Sequence, residues 1–304
     1  MSSWRAIQPV ALVFPVADIL AGSGIVSFAY RYLDWRSAGG VLLLCLAAVC
    51  LNAAGHLLEA CLSASGRGGG SFSGAFLMSR RTLTRVFLAG GFLCFAGLFL
   101  AMKVGVESFV VAACWALVML FQVLPARQSE LRRALLQGAL RGGQLLLGMS
   151  IYPGFFLAGP APLLLAPAIL MGLWVPAARL ALPLEREGGA RLLVAASALG
   201  VLALLGAAGA VLPPDLLARV LLGGALLFWL VGSLRAYGIP HPRRLGQYVA
   251  LSLSGLVLVE AAWVAALGSG AGWHWRAFYL APLVGLFCLA VSRMNRLVQV
   301  PEAP

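Results

Sequence analysis

The chain has 304 residues, 62% hydrophobic and 11% charged, with a mean hydropathy of +0.95. A soluble domain carries roughly 25% charged residues, so the composition excludes a water-soluble enzyme and describes a protein that crosses a membrane repeatedly. The net charge of +12 does not point to nucleic acid, because no basic stripe interleaved with aromatics is present and the arginines fall between apolar stretches, as in membrane orientation.

A spanning helix needs about 20 predominantly apolar residues. In chain order such stretches are predicted at 10–30, 39–62, 84–102, 106–124, 137–158, 161–180, 191–212, 215–234, 247–268 and 275–292. They give an all-α, polytopic transmembrane bundle of nine or ten spans around a central cavity, read as a single domain over 1–304. The first stretch, broken by Pro15 and Asp18 and followed by no small-residue cleavage site, is not expected to be a removable signal peptide. Long linkers at 63–83, 125–136, 181–190 and 235–246 alternate with short ones such as GPAP and PPD. With a cytoplasmic N-terminus, sixteen of the 22 basic residues fall on the cytoplasmic side and four outside, with Arg141 and Arg219 inside spans. That bias puts the N-terminus and all the long linkers in the cytoplasm and is expected of an integral protein of a bacterial inner membrane. The six cysteines lie in or beside apolar runs with no C-x-x-C pair and read as small hydrophobes.

Polar residues inside these spans carry the functional information, because an unpaired charge at membrane depth is costly and faces a bundle interior or a watery cavity. Asp18 is mid-span in the first stretch, either a structural carboxylate bonded to a neighbouring helix or part of a site; its partner is open between His56 and Arg141. At the end of the second span Asn52, His56 and Glu59 stand at i, i+4 and i+7 and therefore share one helix face. In the fifth, Gln137, Arg141 and Gln144 repeat that spacing beside Gly142 and Gly143, either as an anion site approached closely by backbone or as an arginine snorkelling to the interface. Glu185, Arg186 and Glu187 sit between spans six and seven, as site residues or as a solvated charge pair. Glu260 lies deep in the ninth span, either paired with Trp263 or an arginine or functional. We expect Asn52, His56, Glu59, Arg141, Gln144 and Glu187 to meet in one cavity open to the cytoplasm.

No Walker loop, H-E-x-x-H, G-x-S-x-G or dinucleotide fingerprint is present in a suitable context. The order of features instead resembles the UbiA superfamily of intramembrane prenyltransferases and, more narrowly, its EboC-like branch. PVADILAG is similar to that family's first helix, and the segment from Asn52 stands where the family has Asn-Asp-x-x-Asp-x-x-x-Asp. RGGQLLLGMS resembles the fifth-helix pattern, with Arg141 and Gln144 at the Arg and Asn of the narrower branch. EREGGARLLVAASALG resembles the second acidic motif, and LSGLVLVEAA a later helix with Glu260 in place of Asp. The aspartate motifs are degenerate: Asn52 matches, but Ala53, His56 and Ala60 replace the first motif's aspartates, Glu59 is one residue off register, and Pro183 precedes Glu185 and Glu187 in the second.

The resemblance implies a helical bundle whose acidic caps hold magnesium on the diphosphate of an isoprenoid donor and pass the prenyl group to an aromatic or other hydrophobic acceptor. Carried over residue by residue, Asn52, His56, Glu59, Glu185 and Glu187 are the expected catalytic set, with Glu59 and Glu187 on magnesium. Asp18, Gln137, Arg141, Gln144 and Arg191 are the expected substrate-binding set. Imidazole is a poor magnesium ligand, so His56 suits a softer metal or a hydrogen bond. Two readings follow: a divergent prenyltransferase in the lipid bilayer, or a non-catalytic bundle that binds, exports or scaffolds a hydrophobic metabolite. An ordinary transporter is a third, weaker reading. The charge bias is tested directly by single cysteines introduced at 63–83: they are expected to label with a membrane-impermeant maleimide only after the cell is opened, and labelling of intact cells reverses the orientation.

Overall fold

The computed structural model describes residues 9–32, 34–64, 80–123, 130–157, 162–179, 190–238 and 242–298. The described residues form ten helices: α1 Pro9–Ala29, α2 Trp35–Ala64, α3 Arg80–Val104, α4 Val106–Val123, α5 Glu130–Met149, α6 Pro162–Arg179, α7 Ala190–Val211, α8 Leu216–Gly238, α9 Pro242–Leu267 and α10 Trp273–Val298. Among the described residues one 3-10 turn, Gly268–Gly270, follows α9, and no strand occurs. Each helix overlaps one predicted stretch. Six of them, α2, α3 and α7 to α10, are long and apolar enough to cross a bilayer outright, and α1, α4 and α6 hold shorter apolar segments. The remaining helix, α5, is the polar one: Arg132, Arg133, Gln137, Arg141 and Gln144 all lie on it.

Burial shows which helices form the interior. In α9, 83% of the spanning segment is buried, against 17% in α3 and 22% in α10. α9 packs against α1, α6, α8 and α10, and α1 packs against α2, α5, α9 and α10, so this pair joins the first and last thirds of the chain. The large apolar side chains of α3, including Phe87, Phe92 and Phe95, point outward, as a lipid-facing surface requires.

Apolar helices gain little from hydrophobic contrast within lipid, so they associate by close packing and interhelical hydrogen bonds. Both are present. A Cβ added to Gly22 of α1 would strike the Leu145 carbonyl of α5, and one added to Gly148 of α5 would strike the Ile19 carbonyl of α1. Ser23 Oγ donates to Gly148 O at 3.0 Å across the same seam. Trp174 Nε1 donates to Ser252 O at 3.1 Å between α6 and α9. Ser27 and Tyr279 bond at 3.0 Å between α1 and α10, and Ser197 and Tyr248 at 2.9 Å between α7 and α9.

Two helix starts are fixed by aspartates in short connections. Ser37 N donates to Asp34 Oδ1 at 2.6 Å at the start of α2, and Ala218 N to Asp215 Oδ1 at 2.9 Å at the start of α8; such caps supply acceptors for amides the helix leaves unpaired. Arg276 Nη2 reaches both oxygens of Asp215 at 2.8 Å and also donates to Ala265 O at 2.8 Å, tying the α7–α8 and α9–α10 connections together. Burial alone would raise the Asp215 carboxyl, but the Ala218 amide and the Arg276 guanidinium outweigh it and hold the group below the usual aspartate value.

The α1–α5 seam gives a steric test. Gly22→Val forces the two backbones apart and is expected to cost about 1–3 kcal/mol, whereas Gly285→Val, at a position with open space around the added carbon, is expected to leave the unfolding midpoint in detergent unchanged.

Candidate functional site

Asp18, Arg141 and Glu260 come from α1, α5 and α9, and the fold brings them together at mid-bundle. Arg141 Nη2 lies 2.8 Å from Asp18 Oδ1 and 3.2 Å from Glu260 Oε1. The contact to Glu260 has hydrogen-bond geometry, whereas the one to Asp18 is an ion pair without it. The exposures of Asp18, Arg141 and Glu260 are 1%, 9% and 0%, so all three groups are out of solvent. The guanidinium also lies over the Phe14 ring at 4.7 Å, one turn before Asp18, a cation–π contact that favours a desolvated charge. Charge within apolar stretches of the sequence singled out all three residues, but left their pairing open. The ring of Phe14 was hidden among the other apolar residues of α1.

The small residues around Arg141 account for its position. Gly142 packs against the Ala168 carbonyl of α6, 2.8 Å from where a Cβ would stand, and Gly138 packs against the Gly172 carbonyl. With Gly148 closing on α1, one face of α5 is held against α6 and another against α1, which leaves Arg141 directed to the α1–α9 interface. Gln144, one turn further along α5, is also buried, and its Oε1 has no hydrogen-bond partner.

The second-span residues lie elsewhere. Asn52, His56 and Glu59 are all half-buried on α2, and Glu59 Oε1 pairs with Arg133 Nη2 of α5 at 3.6 Å. Arg133 and Arg141 are eight residues apart on one helix, about 12 Å along the axis, so the two ion-pair groups occupy different depths of the bundle. The partly exposed Glu59–Arg133 pair contributes little stability, about 0–1 kcal/mol. Gln137 is half-buried on the stretch of α5 between them. Arg191 belongs to α7 by its backbone, and Glu185 and Glu187 lie outside the described residues. The structure thus groups Arg141 with Asp18 and Glu260, and Glu59 with Arg133.

This arrangement bears on both expected ligands. Arg141 already faces two carboxylates, so binding an anion there means displacing one of them. Of the acids expected on magnesium, Glu59 is engaged by Arg133, and among the described residues no three His, Cys, Asp or Glu side chains converge as a metal requires. The described side chains alone do not build a magnesium site.

Comparison with known proteins rests on shape. No protein-family model and no curated protein matches the chain. A UbiA homologue from Aeropyrum pernix K1, solved in its apo form, superposes with a TM-score of 0.60 at 15% identity, covering 84% of this chain and 98% of that one. A digeranylgeranylglyceryl phosphate synthase superposes at 0.56 with 12% identity, covering 84% and 93%. The chain has the UbiA fold. Within it, α1, α5 and α9 contribute the buried charges, and the lipid-facing helices contribute none to that cluster.

A UbiA-fold bundle centred on one arginine should depend on that residue for stability. Arg141→Met leaves two buried carboxylates facing each other and is expected to cost about 3–5 kcal/mol. Replacing all three members with Leu or Met is expected to restore most of that loss, measured by unfolding in mixed micelles.

Proposed function

We propose that the chain is a divergent UbiA-type membrane prenyltransferase of the EboC-like branch, acting as one transmembrane unit on an isoprenoid diphosphate and a hydrophobic or aromatic acceptor. The observation that carries this reading is the superposition over nearly the whole length of two prenyltransferase-type structures. In this reading the diphosphate lies at the arginine-rich end, where Glu59, Glu185 and Glu187 form the acidic cap with Asn52 and His56 beside it. Magnesium belongs to the reading through Glu59 and Glu187. Arg133, which meets Glu59 across α2 and α5, and Arg191, which follows Glu185 and Glu187 closely in sequence, offer phosphate-binding charge, for which guanidinium is well suited. The isoprenoid tail lies among apolar helices, and the protein resides in a bacterial inner membrane with its long linkers in the cytoplasm.

A second reading is favoured by a specific observation. Glu59 is committed to Arg133, and Arg141 to Asp18 and Glu260, while alanine stands at two positions of the first motif that the family fills with aspartate. These features suit a UbiA-fold protein that has given up transfer and binds, exports or scaffolds a hydrophobic metabolite.

Equilibrium binding of geranylgeranyl diphosphate to the purified protein distinguishes the two. The transferase reading expects binding that needs magnesium and falls at least tenfold in Glu59→Ala and Glu187→Ala. Binding that is indifferent to chelator and to both substitutions supports the second reading, and absence of binding removes the first.

A further inference from the structure

The buried cluster contains more negative charge than positive. Asp18 and Glu260 supply two carboxylates, and Arg141 supplies one guanidinium. Both carboxyl groups meet the same nitrogen, Arg141 Nη2, at 2.8 and 3.2 Å, yet by hydrogen-bond geometry both oxygens of Asp18 and Oε2 of Glu260 have no donor. Gln144 Oε1, on the Arg141 face of α5, is a further buried acceptor without a donor. A cluster of acids alone would identify no ligand. Here Gln144, a residue 4% exposed and one turn from Arg141 on a third helix, carries an independent buried acceptor.

Two like charges gathered at one guanidinium nitrogen within a low-dielectric interior do not both persist without compensation, and that guanidinium balances one of them. Other ionisable groups on the helices packed around the cluster are engaged or remote. Tyr279 of α10 bonds Ser27 and Arg276 bonds Asp215, and Glu59 of α2 pairs with Arg133. Of the described cations, Arg141 is the one in ion-pair contact with these carboxyls.

We propose that Asp18 and Glu260 hold one monovalent cation between them, a proton or an alkali-metal ion, as the second positive charge of the cluster. Its chemistry follows from the donor set. Carboxylate and amide oxygens are hard ligands that suit a proton or a sodium ion, not a soft metal. The net charge of minus one is matched by a single positive charge. A divalent ion would overcompensate it, and magnesium also demands a near-octahedral shell with several waters. This inference concerns the middle of the bundle and does not depend on the transferase reading, whose acids lie at its arginine-rich end.

The test uses the full chain in detergent at neutral pH. Thermal unfolding is followed while sodium chloride replaces N-methylglucamine chloride at constant ionic strength, and the infrared spectrum is recorded in sodium-free buffer for the carboxylic-acid C=O stretch. A midpoint that rises by several degrees with sodium identifies the alkali ion; a carboxylic-acid band without sodium response identifies the proton. Either signal is expected to vanish in both Asp18→Asn and Glu260→Gln, because the remaining carboxylate and Arg141 then balance and the new amide supplies a donor. A wild-type protein that shows neither signal overturns the proposal even if the variants do not fold, as does a signal that survives in either variant.

Discussion

One guanidinium facing two carboxylates across three helices is the constraint around which this bundle is built. Charge placed away from water must find a partner, and here the partners come from the first, fifth and ninth helices, separated by more than a hundred residues each. A buried ion pair is not in itself a strong source of stability, since an apolar substitute is often as stable. What it supplies is discrimination between arrangements: a bundle that packed α1, α5 and α9 apart would bury three isolated charges. Close glycine contacts and hydrogen bonds then refine an arrangement that electrostatics selects.

The same interaction changes how the arginine in α5 is understood. Spacing beside Gln137 and Gln144 suggests a receptor for anions, and the glycines at 142 and 143 suggest close approach of a ligand. In the fold, Gly142 instead admits the backbone of α6, and the arginine faces protein carboxylates. Polarity at mid-depth and polarity at the arginine-rich end therefore form two regions. A bundle with its charge divided in this way keeps the outline of the UbiA fold while its interior departs from the expected pattern.

Much of the fold was legible in the sequence because membrane spans announce themselves by length and apolarity: each of the ten helices overlaps a predicted stretch. α5 was the hardest to define. Its N-terminal turn carries Glu130, Arg132 and Arg133, so hydropathy placed its start several residues late, and its last predicted turn is irregular backbone from Ile151 onward. The unusual residues of the site were equally visible, since Asp18, Arg141 and Glu260 stand out against hydrocarbon. Their pairing was not. Periodicity reports which residues share a face of one helix, as for Asn52, His56 and Glu59, but not which helix that face meets or at what depth. Glu59 met Arg133 because the two helix ends lie at the same level, and that level is set by the packing of α2 and α5.

The reciprocal fit of Gly22 and Gly148 has a mechanical consequence. Each helix offers a notch to the other's carbonyl, so a piston-like slip of one residue would drive Ser23 or Leu147 into backbone, and a roll about either axis would meet the same obstacle. The α1–α5 pair therefore behaves as a fixed keel. Whatever breathing the bundle undergoes must be borne by its loosely held outer staves, with the keel and the charges mounted on it standing still.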